Sequence, residues 1–312
     1  MPSLTAIRAS NAAFKHSISQ QPIAVFVGGT SGIGQGMAEV FADNTKGDSH
    51  IVIVGRNRDA AERTLSSFPK PTSGVVAREF VQCDVTLMKN VQQATTDILA
   101  RYPKINYLVM SPGIMTFDGR TETTEGIDRK LAVHYYARWK FLQDLLPGLR
   151  KAKDEGEEVA VMSVLAPSYG GAIDVNDLPL KNGYSVTKAA LATPTYNDLM
   201  MESFAALEPR IPFIHSHPGF VRTGLVSSSN SWLFSKMSGI LLALTRPLSL
   251  SPEQCAQYMW HSIYSTATTP GAWRTGANGE DLKKTRYFGD DMQRAKLWEH
   301  TARVMSDALA SK

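Results

Sequence analysis

Two cysteines in 312 residues, Cys83 and Cys255, are too few for a disulfide framework and fit a reducing compartment. Basic runs are equally scarce. The formal net charge is +4 and no run exceeds the Lys283-Lys284 pair, which disfavours a nucleic-acid-binding patch. No apolar stretch is long enough to span a bilayer. The longest, "SWLFSKMSGILLALTRPL" (231–248), is broken by Lys236 and three serines, and its unbroken part, Gly239 to Leu244, is far too short. We expect no integral membrane segment there, but a substrate-covering helix or a peripheral contact. The first twenty residues lack a long apolar core and a small-residue cleavage site, so no secretory signal is expected and the cytoplasm is the expected location.

What is present is a core. Hydrophobic residues make up 43% of the chain, which excludes global disorder. Short, continuous Val- and Ile-rich runs at 22–27, 50–54, 78–83, 105–110, 157–163 and 211–216 alternate with helical patterns at about 33–43, 58–67, 88–101, 122–146, 184–207 and 252–265. Continuous rather than alternating apolar strands are expected when both faces of a parallel sheet are covered. The pattern predicts one domain over 1–312, an α/β fold with a doubly wound parallel sheet. Its core covers about 20–225, a lid insertion about 225–250, and a final strand and helix about 270–310. In such a sheet, ligands bind beyond the carboxyl ends of the strands. The unusual residues collect there: glycines after the first run, "GRN" after the second, then "CDV", "SPG", "SVLAP" and "HPGFVRT".

The stretch "VFVGGTSGIGQGMAEVF" (25–41) places Gly28, Gly32 and Gly34 in G-x-x-x-G-x-G between a strand and a helix start. Glycine permits a positive φ and brings the backbone close to a ligand. The helix N-terminus beyond it offers unpaired N–H groups to a pyrophosphate, with Ile33 at the turn and hydroxyls from Thr30 and Ser31. After the second strand, where a carboxylate would bind the ribose hydroxyls of NAD, stand Gly55, Arg56 and Asn57. A guanidinium there suits a 2′-phosphate, so NADP(H) is the expected cofactor; the alternative is a solvated loop arginine. Asp84, with Val85 beside it, either accepts from an adenine amino group or caps the following helix.

In "GYSVTKAAL", Tyr184 and Lys188 are four apart at the start of a helical pattern, so both side chains are expected on one helix face. A phenol titrates near pH 10, too high for acid–base work at neutral pH, and an adjacent ammonium lowers it. Alone the pair is common; 150 residues after a glycine turn in an alternating chain it points to proton transfer.

These motifs, in this order, resemble the short-chain dehydrogenase/reductase family over about residues 20–225, with weaker likeness to the end. The resemblance implies a single Rossmann-like domain binding NAD(P)(H). Tyr184 would exchange a proton with the substrate oxygen, and Lys188 would lower its pKa and bond the nicotinamide ribose. Pro218, Gly219, Val221 and Thr223 match the stretch lining the nicotinamide carboxamide. It also implies dimers or tetramers built on the fourth and fifth helices.

Three places depart from the family pattern. The usual N-N-A-G is here "MSPG", so that only Gly113 survives. The family's active-site Asn falls on His134, which either holds a proton-relay water or is a packed structural residue. The catalytic serine falls on Ser163 in one register and on Val164 in another; Ser163 is preferred, with Ser168 in reserve. The long gap from Ser163 to Tyr184 resembles retinol-dehydrogenase-like members.

Phe220, Leu225, Trp232, Leu233, Phe234 and Met237 supply apolar surface for a medium-sized apolar substrate or else pack as core. The texture of "GIDRKLAVHYYARW" and "YNDLMMESFA" is similar to fungal short-chain dehydrogenases of secondary metabolism, which implies polyketide-, terpenoid- or steroid-like substrates. The leading expectation is therefore an NADP(H)-dependent oxidoreductase of a carbonyl or secondary alcohol, with no metal. Two alternatives stand beside it. One is a non-redox isomerase or dehydratase using His134 as a second acid–base; the other is a catalytically impaired dinucleotide-binding protein.

Overall fold

The computed structural model describes residues 2–18, 21–223 and 249–311. Seven strands, β1 (Ile23–Val27), β2 (His50–Gly55), β3 (Arg78–Gln82), β4 (Tyr107–Met110), β5 (Ala160–Val164), β6 (Pro212–Ser216) and β7 (Gly271–Thr275), form one sheet. Its order is β3-β2-β1-β4-β5-β6-β7, and every pairing is parallel. This is the doubly wound sheet that the alternation predicts. The final strand lies within the "GAWRTGANGE" stretch, and each predicted run holds one strand.

The strands read as unbroken apolar runs because both faces are covered. In β1, Val25 and Val27 belong to one core and Ala24 and Phe26 to the other. The first core is closed by helices α4 (Met88–Arg101), α5 (Ala137–Asp154), α6 (Val186–Leu207) and α8 (Asp291–Ala310). The second is closed by α2 (Gly32–Asn44), α3 (Arg58–Ser67) and α7 (Pro252–His261). In that second core Trp260 stacks on Phe41 with ring centroids 4.9 Å apart and donates from Nε1 to the Met37 carbonyl at 2.9 Å.

An N-terminal helix absent from the sequence prediction, α1 (Leu4–Ala12), lies against α7. Arg8 pairs with Glu253, and Asn11 donates to the Gln257 carbonyl at 2.8 Å. The helix expected over 122–146 begins later. Asp128 accepts from the backbone N–H groups of Lys130 and Leu131 and so starts the helical chain at Arg129. A π-helical turn, Ala132–Tyr136, then leads into α5. Such turns are rare and often mark functional positions; this one carries His134. The lid expected at 225–250, with Leu225, Trp232, Leu233, Phe234 and Met237, lies outside the described residues except for its last positions.

Candidate functional site

A cleft of about 410 Å³ opens at the carboxyl ends of the central strands. Its middle is the turn from β1 to α2. Gly28 sits at φ +83° and Gly32 at +58°, both in the left-handed region that favours glycine. A Cβ on Gly34 would lie 2.5 Å from the Gly28 carbonyl oxygen, so Gly34 shapes the turn from behind and does not line the cleft. Ser31 occupies the N-cap position of α2 without a side-chain capping bond. Its hydroxyl thus stays beside the open helix N-terminus, where an anion is favoured.

One end of the cleft is lined by Gly55, Arg56, Cys83, Asp84, Val85 and Thr86. Asp84 is no helix cap. Its Oδ1 accepts from Thr86 N–H at 3.0 Å, while Glu125 accepts from Met88 and Lys89 N–H at the start of α4. Asn57, predicted beside Arg56, caps α3 by accepting from Ala60 N–H at 3.0 Å and does not line the cleft. The other end is lined by Val133, His134, Arg138, Val164, Leu165, Pro218 and Thr223, with Ser111, Pro112 and Gly113 between the ends. Gly219 and Val221 do not line it; Val221 pairs with Leu250 and packs against the second core.

The cleft therefore gathers Gly28, Thr30, Ser31, Gly32, Ile33, Arg56, Asp84, Val85, Gly113, His134, Pro218 and Thr223 of the predicted set. These fit a dinucleotide: a positive-φ turn, an uncapped helix N-terminus and a cation where the second strand ends. A separate cavity of about 280 Å³ surrounds Asp198, His215 and Arg274 at the β6–β7 edge and contains none of them.

The predicted catalytic residues are placed otherwise. Ser185, in extended conformation at φ −143°, caps α6 by accepting from Lys188 N–H at 3.0 Å. The helix therefore starts at Val186, and Tyr184 lies before it. The one-face argument fails because helical periodicity does not cross the cap. Lys188 is exposed and donates from Nζ to the Gly183 carbonyl at 2.8 Å. The Tyr184 hydroxyl is buried without a hydrogen-bond partner, and neither residue lines the cleft. Burial, with the Asp128 carboxylate nearby, pushes the phenol up to about 12 rather than down. Lys130, not Lys188, sits over its ring, 5.4 Å from the centroid.

Ser163 is fully buried and faces away from the cleft. Its Oγ donates to Asn197 Oδ1 at 2.8 Å and accepts from Arg138 Nη1 at 2.6 Å. Val164, its neighbour on the strand, lines the cleft instead, as alternation along a strand requires. Ser168, the reserve, donates to the Thr285 carbonyl at 2.8 Å. His134 does reach the cleft, and its Nε2 accepts from Ile114 N–H at 3.2 Å. Burial and the charges of Arg138 and Lys130 lower its pKa to about 3, so it is neutral at pH 7 and ill suited to a second acid–base role.

Sequence reasoning missed Arg138. It stands one turn beyond His134 in "AVHYYARWKF", two residues before a second cation, Lys140, and nothing in the sequence sets it apart as the one that reaches the cleft.

The model of the short chain dehydrogenase family matches residues 22–233. An oxidoreductase of Emericella nidulans is 36% identical over 229 residues, which is 73% of this chain and 66% of that one, just under two thirds of its length. The oxidoreductase andH of Emericella variicolor is 32% identical over 270 residues, 86% of this chain and 77% of that one. Among solved structures, an alcohol dehydrogenase of Thermococcus sibiricus complexed with 5-hydroxy-NADP superposes with a TM-score of 0.58 at 15% identity, covering 82% of this chain and 96% of that one. A 3-ketoacyl-(acyl-carrier-protein) reductase of Brucella melitensis complexed with NADH gives 0.58 at 20%, covering 85% and 99%. These two likenesses concern the fold.

Proposed function

The chain belongs to the short-chain dehydrogenase family, and from that premise we propose an NADP(H)-dependent oxidoreductase acting on the carbonyl or secondary alcohol of a medium-sized apolar substrate. The observation that carries this reading is the cleft itself, which runs from Arg56 past the Gly28–Gly32 turn to Val164 and Pro218. Arg56 would pair with a 2′-phosphate, and the position offers no carboxylate to repel it. Thr30 and Ser31, with the N–H groups opening α2, would hold the pyrophosphate. Asp84 would accept from the adenine, and Pro218 and Thr223 would border the carboxamide. Bound NADPH supplies the hydride; the chain must supply the proton.

Tyr184 is the proposed proton donor. Where it lies the phenol is protonated at neutral pH, but a pKa pushed up to about 12 makes it a weaker acid than a free phenol, so the role requires another setting for the hydroxyl. No protein bond holds the hydroxyl, and the preceding Gly183 lies at φ +64°. The reading requires this turn to swing the phenol toward the cleft when the site fills.

An apolar substrate is supported by Met115, Phe117, Tyr169 and Phe220, exposed on the loops after β4, β5 and β6. The relatives are fungal oxidoreductases; the role in secondary metabolism, on polyketide-, terpenoid- or steroid-like molecules, is carried here from the sequence resemblance alone. Two buried free cysteines suit the cytoplasm, and among the described residues no helix is long and apolar enough to cross a membrane.

The placement of Tyr184, Lys188 and Ser163 away from the cleft favours one second reading, a dinucleotide-binding protein without turnover. One experiment separates the two. The purified protein is titrated with NADPH and NADH, then absorbance at 340 nm is followed against a panel of apolar ketones. Tighter NADPH binding with cofactor consumption supports the oxidoreductase, tight binding without consumption supports the second reading, and no binding overturns both.

A further inference from the structure

Arg138 is 1% exposed, yet it forms part of the cleft wall with Val133, His134, Val164 and Leu165. Among the described residues no aspartate or glutamate pairs with it. Its hydrogen bonds go to uncharged oxygens: Nη1 to Ser163 Oγ at 2.6 Å, the Val164 carbonyl at 2.8 Å and the Met110 carbonyl at 3.4 Å; Nη2 to the Pro112 carbonyl at 2.6 Å; Nε to the Val133 carbonyl at 3.5 Å. A buried guanidinium is normally balanced by a carboxylate. Here oriented dipoles hold it, and dipoles do not cancel its net charge. Burial pushes the guanidinium down to about 9, still above neutrality, so the charge persists at pH 7. Neighbouring His134 is neutral and brings no compensating anion.

The end of the cleft that receives this charge follows from its geometry. Arg56 and Asp84 mark the adenosine end and the glycine turn marks the pyrophosphate, which leaves the Arg138 end for the nicotinamide. The phosphates are the same in both oxidation states of the cofactor. The rings differ: the oxidised ring is a cation and the reduced ring is neutral. A charge in a poorly screened wall therefore acts on that difference alone.

Resting on the NADP(H) reading of the cleft, we propose that Arg138 is a positioning and selectivity residue whose uncompensated charge makes the protein bind NADPH more tightly than NADP⁺. The bias favours loading with the reduced cofactor and release of the oxidised one, and so sets the protein to work as a reductase. The competing role for Arg138 is purely structural, a tie between the ends of β4 and β5. Its loss would then weaken both forms alike.

Calorimetric dissociation constants for NADP⁺ and NADPH are compared in wild type, Arg138→Lys and Arg138→Met. The expected NADP⁺/NADPH ratio is well above one in wild type, survives in Arg138→Lys, and falls by roughly tenfold in Arg138→Met, as for a change in one close charge interaction. A ratio unchanged in Arg138→Met, with both constants raised together, overturns the proposal and leaves the tie. If Arg138→Met does not fold, Arg138→Gln replaces it, and a wild-type ratio of one or below overturns the proposal outright. A wild type that binds neither form overturns the NADP(H) reading as well, so the two failures are distinguishable.

Discussion

Arg138 Nη1 stands 2.6 Å from the Oγ of Ser163, and Asn197 Oδ1 stands 2.8 Å from the same atom on the other side. One hydroxyl thus joins α5, β5 and α6. Asn197 extends the chain by donating to the His134 carbonyl at 2.8 Å, within the π-helical turn. Ser163→Ala would leave the Asn197 oxygen unpaired in a dry interior and remove the nearest of the three acceptors around Arg138 Nη1. The expected cost is about 1–3 kcal/mol of stability, read as a lower midpoint in urea. Turnover should fall by much less than the ~100-fold that removal of a proton-transfer group brings. A larger fall with unchanged stability would return Ser163 to the chemistry.

Tyr184→Phe separates the phenol's chemistry from its packing. The hydroxyl makes no hydrogen bond where it lies, so its removal should leave stability unchanged or slightly raised. Turnover should drop by ~100-fold or more, with NADPH affinity unchanged. A variant that keeps the wild-type rate would exclude Tyr184 as the proton donor.

The contrast between these residues and the sheet shows where a sequence is readable. A strand buried on both faces leaves a continuous apolar run, so each of the six apolar runs holds a strand, whereas the partly buried β7 has no such run. The same property hides which way a given side chain points, because neither face is polar. Ser163 and Val164 could not be told apart for that reason. The placement of Tyr184 and Lys188 on one helix face was misread because Ser185, a strong cap, starts the helix between them. The glycine turn, Arg56 and Asp84 were legible because strand ends in this fold converge on one rim. Asn57 shares that rim but bends back to cap α3.

Arg56→Asp should invert cofactor preference. Arg56 is exposed at the cleft's end, so its loss should not disturb folding. A charge-assisted bond to a 2′-phosphate contributes about 1.5–3 kcal/mol, or roughly 10–100-fold in affinity. NADPH binding should weaken by that factor, and NADH binding should hold or tighten. An unchanged NADPH/NADH ratio would place Arg56 in solvent.

The outer face of α5 and α6, where the resemblance implies a dimer interface, is taken by the chain's own α8. Trp298 lies with its ring centroid 5.2 Å from those of Trp139 and Phe204, and Tyr135 bonds Thr301 at 2.6 Å. The expected assembly is one chain, checked by light scattering on a sizing column. A mass of two chains would place the interface elsewhere than on this face.

Histidines supply the last prediction, a loss of stability in mild acid. Burial, with the Arg138 and Lys130 charges, lowers His134 to about 3, and burial beside Arg303 lowers His300 to about 4. The unfolded chain binds protons at these positions from about pH 6.5, whereas the folded protein refuses them until far lower. Stability is therefore complete above about 6.5 and falls with pH through that window, by up to about 1.4 kcal/mol per pH unit for each group. Between pH 6.5 and 4.5 most carboxylates are still ionised in the unfolded chain, so histidines dominate the slope. Urea midpoints at half-unit intervals should decline over that range. His300 Nε2 lies 2.7 Å from the Tyr136 hydroxyl, and His300→Gln can keep a partner for it while removing the titrating group. That variant should show a shallower decline than wild type; an equal slope would mean that His300 titrates alike in the folded and unfolded states.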